Sequence, residues 1–141
     1  CVRDLDKSLA FYRDILGMRV TADRMQDTPT GGLPQVYKHP RQTRRQVRLT
    51  YGEGDANPSL TMTSHPGEEP DGEPIKLDQV GISHMSFSVK DTKALAQELG
   101  SKGVQFPGPL EARTDAQGNL SSFYVYDPDG ILIQFDSGGG A

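Results

Sequence analysis

Two short segments of the sequence carry polar side chains in a pattern that could do chemistry. From Ile82 to Val89 the residue types alternate, so a strand there would place His84, Ser86 and Ser88 on one face. A second alternating segment, 123–135, is interrupted by the turn sequence Asp-Pro-Asp-Gly. The two-residue period of a strand gives its polar face the residues Tyr124, Tyr126, Gln134 and Asp136. An imidazole beside such oxygen donors predicts either metal binding or ligand binding. A polar histidine on a sheet is more commonly solvated or hydrogen-bonded, and that alternative stays open.

A second candidate set lies in the first half of the chain. Two predicted strands would place on one face the residues Arg48, Thr50, Thr61 and Thr63, with His65 following on the second strand. A guanidinium there suits a carboxylate or a phosphate, because it offers a planar fork of donors. The alternative is that Arg48 belongs to an exposed basic run from Lys38 to Arg48, and both interpretations remain open.

The elements that would position these residues occur twice. Val2-Arg-Asp is repeated at Val89-Lys-Asp, and the helical segments that follow match at a spacing of 86 to 87 residues. An aspartate at the start of each segment predicts a helix N-cap, Asp4 or Asp6 in the first copy and Asp91 in the second. In the first helix Leu5, Leu9, Tyr12 and Leu16 would share one face, and Gly17 would end it.

The strands follow each predicted helix. Alternation and turn residues predict strands at 18–26, 46–52, 59–65, 81–89, 104–112, 120–126 and 131–136. We therefore predict two βαβββ modules, at 1–65 and 80–136, joined by an acidic Pro- and Gly-rich linker at 66–79 and followed by a flexible tail at 137–141. Only three residues precede Asp4, so the first strand of the first module is expected to be truncated. The loop at 27–34 is interpreted either as a lid or as disordered.

Composition narrows the function classes. The chain has 141 residues and a net charge of -4, which argues against non-specific nucleic-acid binding. It contains no apolar run long enough to span a membrane, and we expect a cytoplasmic protein. The sequence has no Gly-Lys-Ser/Thr phosphate loop and no Gly-x-Ser-x-Gly elbow, and its single cysteine, Cys1, has no evident activating neighbour.

Three stretches carry a resemblance to a known family: 2–20, Ile82-Ser-His-Met-Ser-Phe-Ser-Val and Tyr124-Val-Tyr-Asp-Pro-Asp-Gly. Together they resemble the vicinal oxygen chelate superfamily, which includes glyoxalase I, bleomycin-resistance proteins and extradiol dioxygenases. The resemblance implies an α+β fold in which two βαβββ modules form a curved mixed sheet around a cleft. It also implies one divalent metal (Fe, Mn, Ni or Zn), a small-molecule ligand and a homodimer.

The resemblance places the metal ligands on the first and last strands of each module. His84 and Gln134 match two of these positions, Thr61 or Thr63 a third, and the fourth would fall upstream of Cys1. His65 and Asp136 are possible substitutes if the strand registers differ by two residues. One imidazole, one amide and one hydroxyl are a weak donor set for a divalent transition metal.

Two functions of different classes follow from the resemblance. The first is a metal-dependent lyase or dioxygenase that acts on a small molecule with vicinal oxygens. Gln134 weakens a reaction that needs proton abstraction, because an amide is no general base. The second is a metal-free protein that binds a drug or antibiotic. In both, the ligand would contact Arg48, Thr63, Ser86, Tyr124 and Tyr126.

Overall fold

The computed structural model describes residues 1–54 and 56–138. The chain divides into two compact units, Cys1–Gly72 and Glu73–Ala141, and each combines helix with a small three-stranded sheet. The boundary falls inside the predicted linker at 66–79. Residues 139–141 of the predicted tail lie outside the described residues. None of the described helices is both long and apolar enough to cross a membrane.

The first unit opens with a helix that Asp4, not Asp6, caps. The Asp4 carboxylate accepts from the N–H groups of Asp6 and Lys7, and α1 runs over Leu5–Leu9. A π-helical segment, Ala10–Ile15, continues it to Gly17, whose φ of 78° ends the helix. The wider π turn shifts the buried stripe. Residues 5, 9 and 12 are buried as predicted, but Phe11 is buried where Leu16 was expected and Leu16 is half-buried.

Three antiparallel strands complete the first unit. They are β1 (Arg19–Asp27), β2 (Thr43–Thr50) and β3 (Ser59–Ser64), paired in that order. One face of the sheet carries the buried Val47, Leu49 and Met62. The other face is polar, as the alternation predicts. A short 3₁₀ turn, Leu33–Gln35, lies in the loop between β1 and β2. Thr28, at the base of this loop, is buried and donates its N–H to the Gln42 carbonyl at 2.9 Å.

The second unit also combines a helix with three strands, but one strand precedes the helix and forms a parallel pair. Its strands are β4 (His84–Ser88), β5 (Ser122–Tyr126) and β6 (Leu132–Asp136), in the order β4-β6-β5. Strands β4 and β6 are parallel and β5 and β6 are antiparallel. Helix α2, Thr92–Ser101, begins at the predicted cap Asp91 and buries Leu99. Phe123, Ile133 and Phe135 form the buried face of the sheet.

The predicted strand at 104–112 is wrong. Residues 104–109 form no strand, and a 3₁₀ turn covers Leu110–Arg113. The reason is the sequence Phe-Pro-Gly-Pro at 106–109, because two prolines remove the N–H groups that a ladder needs. One backbone bond to the sheet remains, from the Tyr126 N–H to the Gln105 carbonyl.

Each unit contains an equivalent backbone hydrogen bond, and this bond identifies which strand positions correspond between the two sheets. The Val2 N–H donates to the Thr63 carbonyl at the end of β3, and the Val89 N–H donates to the Asp136 carbonyl at the end of β6. Counting back two residues from each acceptor, Thr61 occupies in the first sheet the position that Gln134 occupies in the second. The same counting pairs Arg48, opposite Thr61, with Tyr124, opposite Gln134.

Ion pairs attach the first part of the predicted acidic linker to the basic run of the first unit. Glu68 accepts from Arg41 at 3.0 Å, and Asp71 accepts from Lys38 at 2.5 Å and contacts His39 at 3.1 Å. Residues 66–72 are therefore held by the first unit.

A titration of Asp71 tests this attachment. Hydrogen bonds from Lys38 and then His39 lower the pKa of Asp71 to about 2 from its ordinary value of 3.8. Because the folded pKa is depressed, the attachment is complete above pH 3.8 and is lost as the pH falls through about 2. NMR of the Asp71 side-chain carbon should show this midpoint, and Lys38→Met should raise it toward 3.8, with a smaller rise in His39→Gln. A wild-type midpoint near 3.8 would contradict the contact.

Candidate functional site

The polar face of the second sheet brings together most of the predicted site residues. In the parallel register Ser86 lies opposite Gln134 and Ser88 opposite Asp136. On the other side of β6, Tyr124 lies opposite Gln134. Gln134 is thus flanked by Ser86 and Tyr124, and His84 lies one residue pair away on the same face. The imidazole and the amide that the sequence singles out share one sheet face.

Tyr124 is the centre of a cluster of rings and charge. Its ring centroid lies 5.7 Å from that of His84, at an interplanar angle of 73°. The guanidinium of Arg113 lies over the Tyr124 ring, 4.5 Å from the centroid, in the range of a cation–π contact. The Nδ1 of His84 is 2.9 Å from the hydroxyl of Ser83. We call the three side chains of His84, Tyr124 and Arg113 the tyrosine cluster.

Arg113 is the member of this cluster that sequence reasoning missed. It ends the 3₁₀ turn Leu110–Arg113, directly after the segment wrongly predicted as a strand. No motif surrounds it. Its place over Tyr124 depends on how the chain crosses between α2 and β5, and no local pattern encodes that path.

Asp136 is fully engaged by neighbouring donors. Its two carboxylate oxygens accept from the hydroxyls of Ser86 at 2.6 Å and Ser88 at 2.9 Å, and from the Gly138 N–H at 2.9 Å. The Ser86 hydroxyl, then that of Ser88, lowers the pKa of Asp136 below its usual 3.8. Asp136 is therefore an ionised acceptor that fixes the end of β4 to β6, and a poor proton acceptor near neutral pH.

Tyr126 lies in a different environment from Tyr124. Its cross-strand neighbour is the buried Leu132, and the ammonium of Lys76 lies 5.5 Å from its ring centroid. In this register no polar residue of β6 lies directly opposite Tyr126. Of the two tyrosines predicted to contact a ligand, Tyr124 has the polar neighbours.

The first sheet places its own candidates on one face. Thr61 lies opposite Arg48, and Thr63 lies opposite Gln46. Arg48 and Thr61 are exposed, Thr63 is half-buried, and the hydroxyl of Thr50 is buried without a hydrogen-bond partner among the described residues. The predicted face therefore forms, with Arg48 and Thr61 open to solvent.

His65 lies beyond the end of β3 and is buried. Its Nδ1 lies 2.8 Å from the Thr43 carbonyl, which can only accept, so Nδ1 donates in this contact. The ring packs edge-on against Tyr37 at 5.3 Å. Both line a cavity of about 180 Å³ that includes Thr63 and Arg41. The Tyr37 hydroxyl is buried without a hydrogen-bond partner within the described residues.

The residues present do not fit a divalent transition metal. Among residues 1–54 and 56–138 no three His, Cys, Asp or Glu side chains come together as a metal-binding group. Of the substitutes, Asp136 accepts three hydrogen bonds and His65 uses Nδ1 for a carbonyl. Within the described residues, the matched positions supply one imidazole, one amide and one hydroxyl, which is a weak donor set for such an ion.

Comparison with known proteins agrees with the fold and with the resemblance. The chain is 31% identical over 137 residues to a probable lactoylglutathione lyase of Synechocystis, with 94% of this chain and 86% of that protein covered. It is 28% identical over 143 residues to the lactoylglutathione lyase of Pseudomonas aeruginosa, covering 94% of this chain and 76% of the other.

Solved structures of glyoxalase-family proteins also match the fold of this chain. The trypanothione-dependent glyoxalase I of Leishmania major matches with a TM-score of 0.63 and 27% identity, over 96% of this chain and 79% of that one. A glyoxalase family protein from Bacillus cereus matches in fold, with a TM-score of 0.67 at 18% identity over 95% of this chain and 86% of the other. The sequence model of the Glyoxalase/Bleomycin resistance protein/Dioxygenase superfamily matches residues 1–135, and the chain belongs to that superfamily.

Proposed function

We propose that this chain binds a small aromatic or conjugated molecule with two adjacent oxygens, and that side chains of the second unit hold the ligand without a metal. This is the binding-protein function of the superfamily, in which drug and antibiotic binding is one outcome. The observation that carries the proposal is the tyrosine cluster, which sets an aromatic face beside hydrogen-bonding groups. The weak metal-donor set supports it.

Tyr124 supplies the stacking surface. A ligand ring takes the place of the Arg113 guanidinium over the Tyr124 ring, where flat molecules stack in offset or edge-on geometry. Arg113, at the end of a short turn, is then free to donate to ligand oxygens. The polar neighbours complete the recognition, since the amide of Gln134 can donate and accept and Ser86 lies opposite it.

A titration with nitrocatechol tests the proposal, because this probe combines a planar ring with two adjacent oxygens. Tyr124→Ala should weaken binding by about tenfold to hundredfold, the usual range when a stacking ring is removed. Gln134→Leu should weaken it less, by about fivefold to tenfold, through loss of one or two hydrogen bonds. Isothermal titration calorimetry measures both changes.

Tyr126→Ala is the matched control. It removes the same side chain from the same strand, but its neighbours are Leu132 and Lys76. It should leave most of the affinity intact. Equal losses in Tyr124→Ala and Tyr126→Ala, or no binding of nitrocatechol to the wild-type protein, would contradict the proposed site.

A second candidate is a lyase that acts on a substrate with vicinal oxygens, and the lactoylglutathione lyase relatives favour it. This candidate requires metal donors beyond those described above. It expects turnover of lactoylglutathione, the compound for which the relatives are named, when Ni²⁺ or Zn²⁺ is added, and loss of that turnover in His84→Ala. Absence of activity at stoichiometric added metal would eliminate it.

The assembly and location of the protein are further parts of the proposal. We propose a homodimer in the cytoplasm, in which each chain has modules at 1–65 and 80–136. The exposed Val80 and Ile82 support self-association, since both apolar side chains are almost fully open to solvent. Light scattering after size-exclusion chromatography gives the mass, and a monomer at micromolar concentration would contradict this part.

A further inference from the structure

The polar face of the first sheet carries several arginines and no acid. Alternate positions of β1, β2 and β3 face the same side, and these positions contain no aspartate or glutamate. Arg24 and Arg48 are exposed there and Arg44 is half-buried. We call the surface formed by Arg24, Arg44, Arg48 and Thr61 the arginine face.

The guanidinium groups of this face have neutral partners or none. Arg24 donates to the Gln46 side-chain oxygen at 3.0 and 2.9 Å, and Arg44 donates to that of Gln26 at 2.7 Å. Within the described part of the chain, the Arg48 guanidinium makes no hydrogen bond or ion pair. Among residues 1–54 of the first unit and 56–72 after them, no carboxylate therefore pairs with the positive charge of this face.

Basic residues that are close in sequence to the arginine face do pair with carboxylates. The lack of acidic partners is therefore a property of that face. Arg45, next to Arg44 but on the other side of β2, contacts Asp6 and Asp23, each at 2.7 Å. The Asp23 carboxylate, then that of Asp6, raises the pKa of Arg45. Arg41 pairs with Glu68 at 3.0 Å. The basic run from Lys38 to Arg48 is thus neutralised except where it reaches the arginine face.

The strand register brings the three arginines within reach of one ligand. Arg24 pairs with Gln46, and Arg44 and Arg48 lie two residues to either side of Gln46 on β2. Such diagonal neighbours are about 7–8 Å apart at their α-carbons, a gap that long side chains bridge. Guanidinium groups that share one sheet face repel each other, and a bound anion offsets that repulsion. Thr61, opposite Arg48, adds a hydroxyl donor.

We propose that the arginine face binds a small, multiply charged oxyanion, a phosphate or a carboxylate group of a metabolite. Planar guanidinium forks match both groups. The chain's net charge of -4 disfavours a long polyanion such as nucleic acid. This site lies in the first unit and does not rest on the proposed function, so each can fail without the other.

NMR detection of arginine Nε–H groups during a titration with inorganic pyrophosphate, and separately with malonate, tests the site and distinguishes phosphate from carboxylate. The signals of Arg24, Arg44 and Arg48 should shift and saturate, while that of Arg45 stays in place. Arg48→Gln should weaken binding by about tenfold, equivalent to about 1.4 kcal/mol. Arg24→Gln is a second variant at an exposed position, and unchanged backbone spectra establish that both variants fold.

Lys90→Gln is the control, since it removes one positive charge at an exposed position of the second unit. It should leave the affinity for pyrophosphate and malonate unchanged. An equal loss in Lys90→Gln would mean that only net charge matters, and would overturn the site. Absence of saturable shifts with either probe would do the same, as would tighter binding of a short DNA oligonucleotide at the same ionic strength.

Discussion

Phe123→Ala should lower the free energy of unfolding by about 3–5 kcal/mol, the usual cost of removing a fully buried phenylalanine. Phe123 has no exposed surface and packs against Phe135 at 5.2 Å and Phe106 at 5.9 Å between ring centroids. It precedes Tyr124 on β5 and points to the opposite face. The packing of Phe123 therefore holds the strand that carries the stacking tyrosine. Urea denaturation followed by circular dichroism measures the change.

Phe106→Ala is the comparison variant, because Phe106 is the other partner in a ring contact with Phe123. Phe106 is half-buried and lies in the Pro-rich segment outside the sheet. We expect its loss to cost clearly less than the loss of Phe123, since less apolar surface returns to water. Equal costs for the two variants would show that the second sheet is not packed as described.

Asp127→Ala should destabilise the protein by about 2–4 kcal/mol, because it leaves two backbone N–H groups without their charged acceptor. One Asp127 carboxylate oxygen accepts from the N–H groups of Asp129 at 2.9 Å and Ile131 at 2.8 Å, and the side chain is buried. These bonds fix the turn between β5 and β6 and, with it, the register that sets Gln134 opposite Tyr124. Thermal and urea unfolding measure the loss.

Asp127→Asn separates the acceptor from its charge. Its amide oxygen can still accept both bonds, so we expect less than half of the loss seen in Asp127→Ala. Tyr126→Ala, at the preceding residue, is the control, because it leaves the Asp127 acceptor in place. If Asp127→Asn is as unstable as Asp127→Ala, the hydrogen bonds to residues 129 and 131 do not hold the turn.

The sequence predicts the strands and caps of this fold well because local chemistry determines them. Alternation identifies the segments of β3, β4 and β6, and Asp4 and Asp91 cap their helices as a short polar side chain before an apolar run predicts. The two failures also have local causes. The π turn displaces Leu16 from the buried stripe, and the prolines at 107 and 109 prevent a strand that pattern alone suggested.

The candidate site is predictable only in part. The period of a strand places His84, Gln134 and Tyr124 on one face, but it does not specify their neighbours across the sheet. The contact of Arg113 with Tyr124 and the hydrogen bonds from Ser86 and Ser88 to Asp136 arise from chain segments brought together by the fold. The division of the basic run into paired and unpaired arginines likewise requires the strand register, since Arg44 and Arg45 are adjacent in sequence and face opposite sides.

Calorimetric titration of nitrocatechol into protein that has been treated with a chelator and then freed of it tests most directly whether side chains alone hold the ligand. We expect the same dissociation constant as for untreated protein, and the same constant again after Ni²⁺ or Zn²⁺ is restored. Loss of binding on chelation, with recovery when either metal is added, would show instead that a metal holds the ligand.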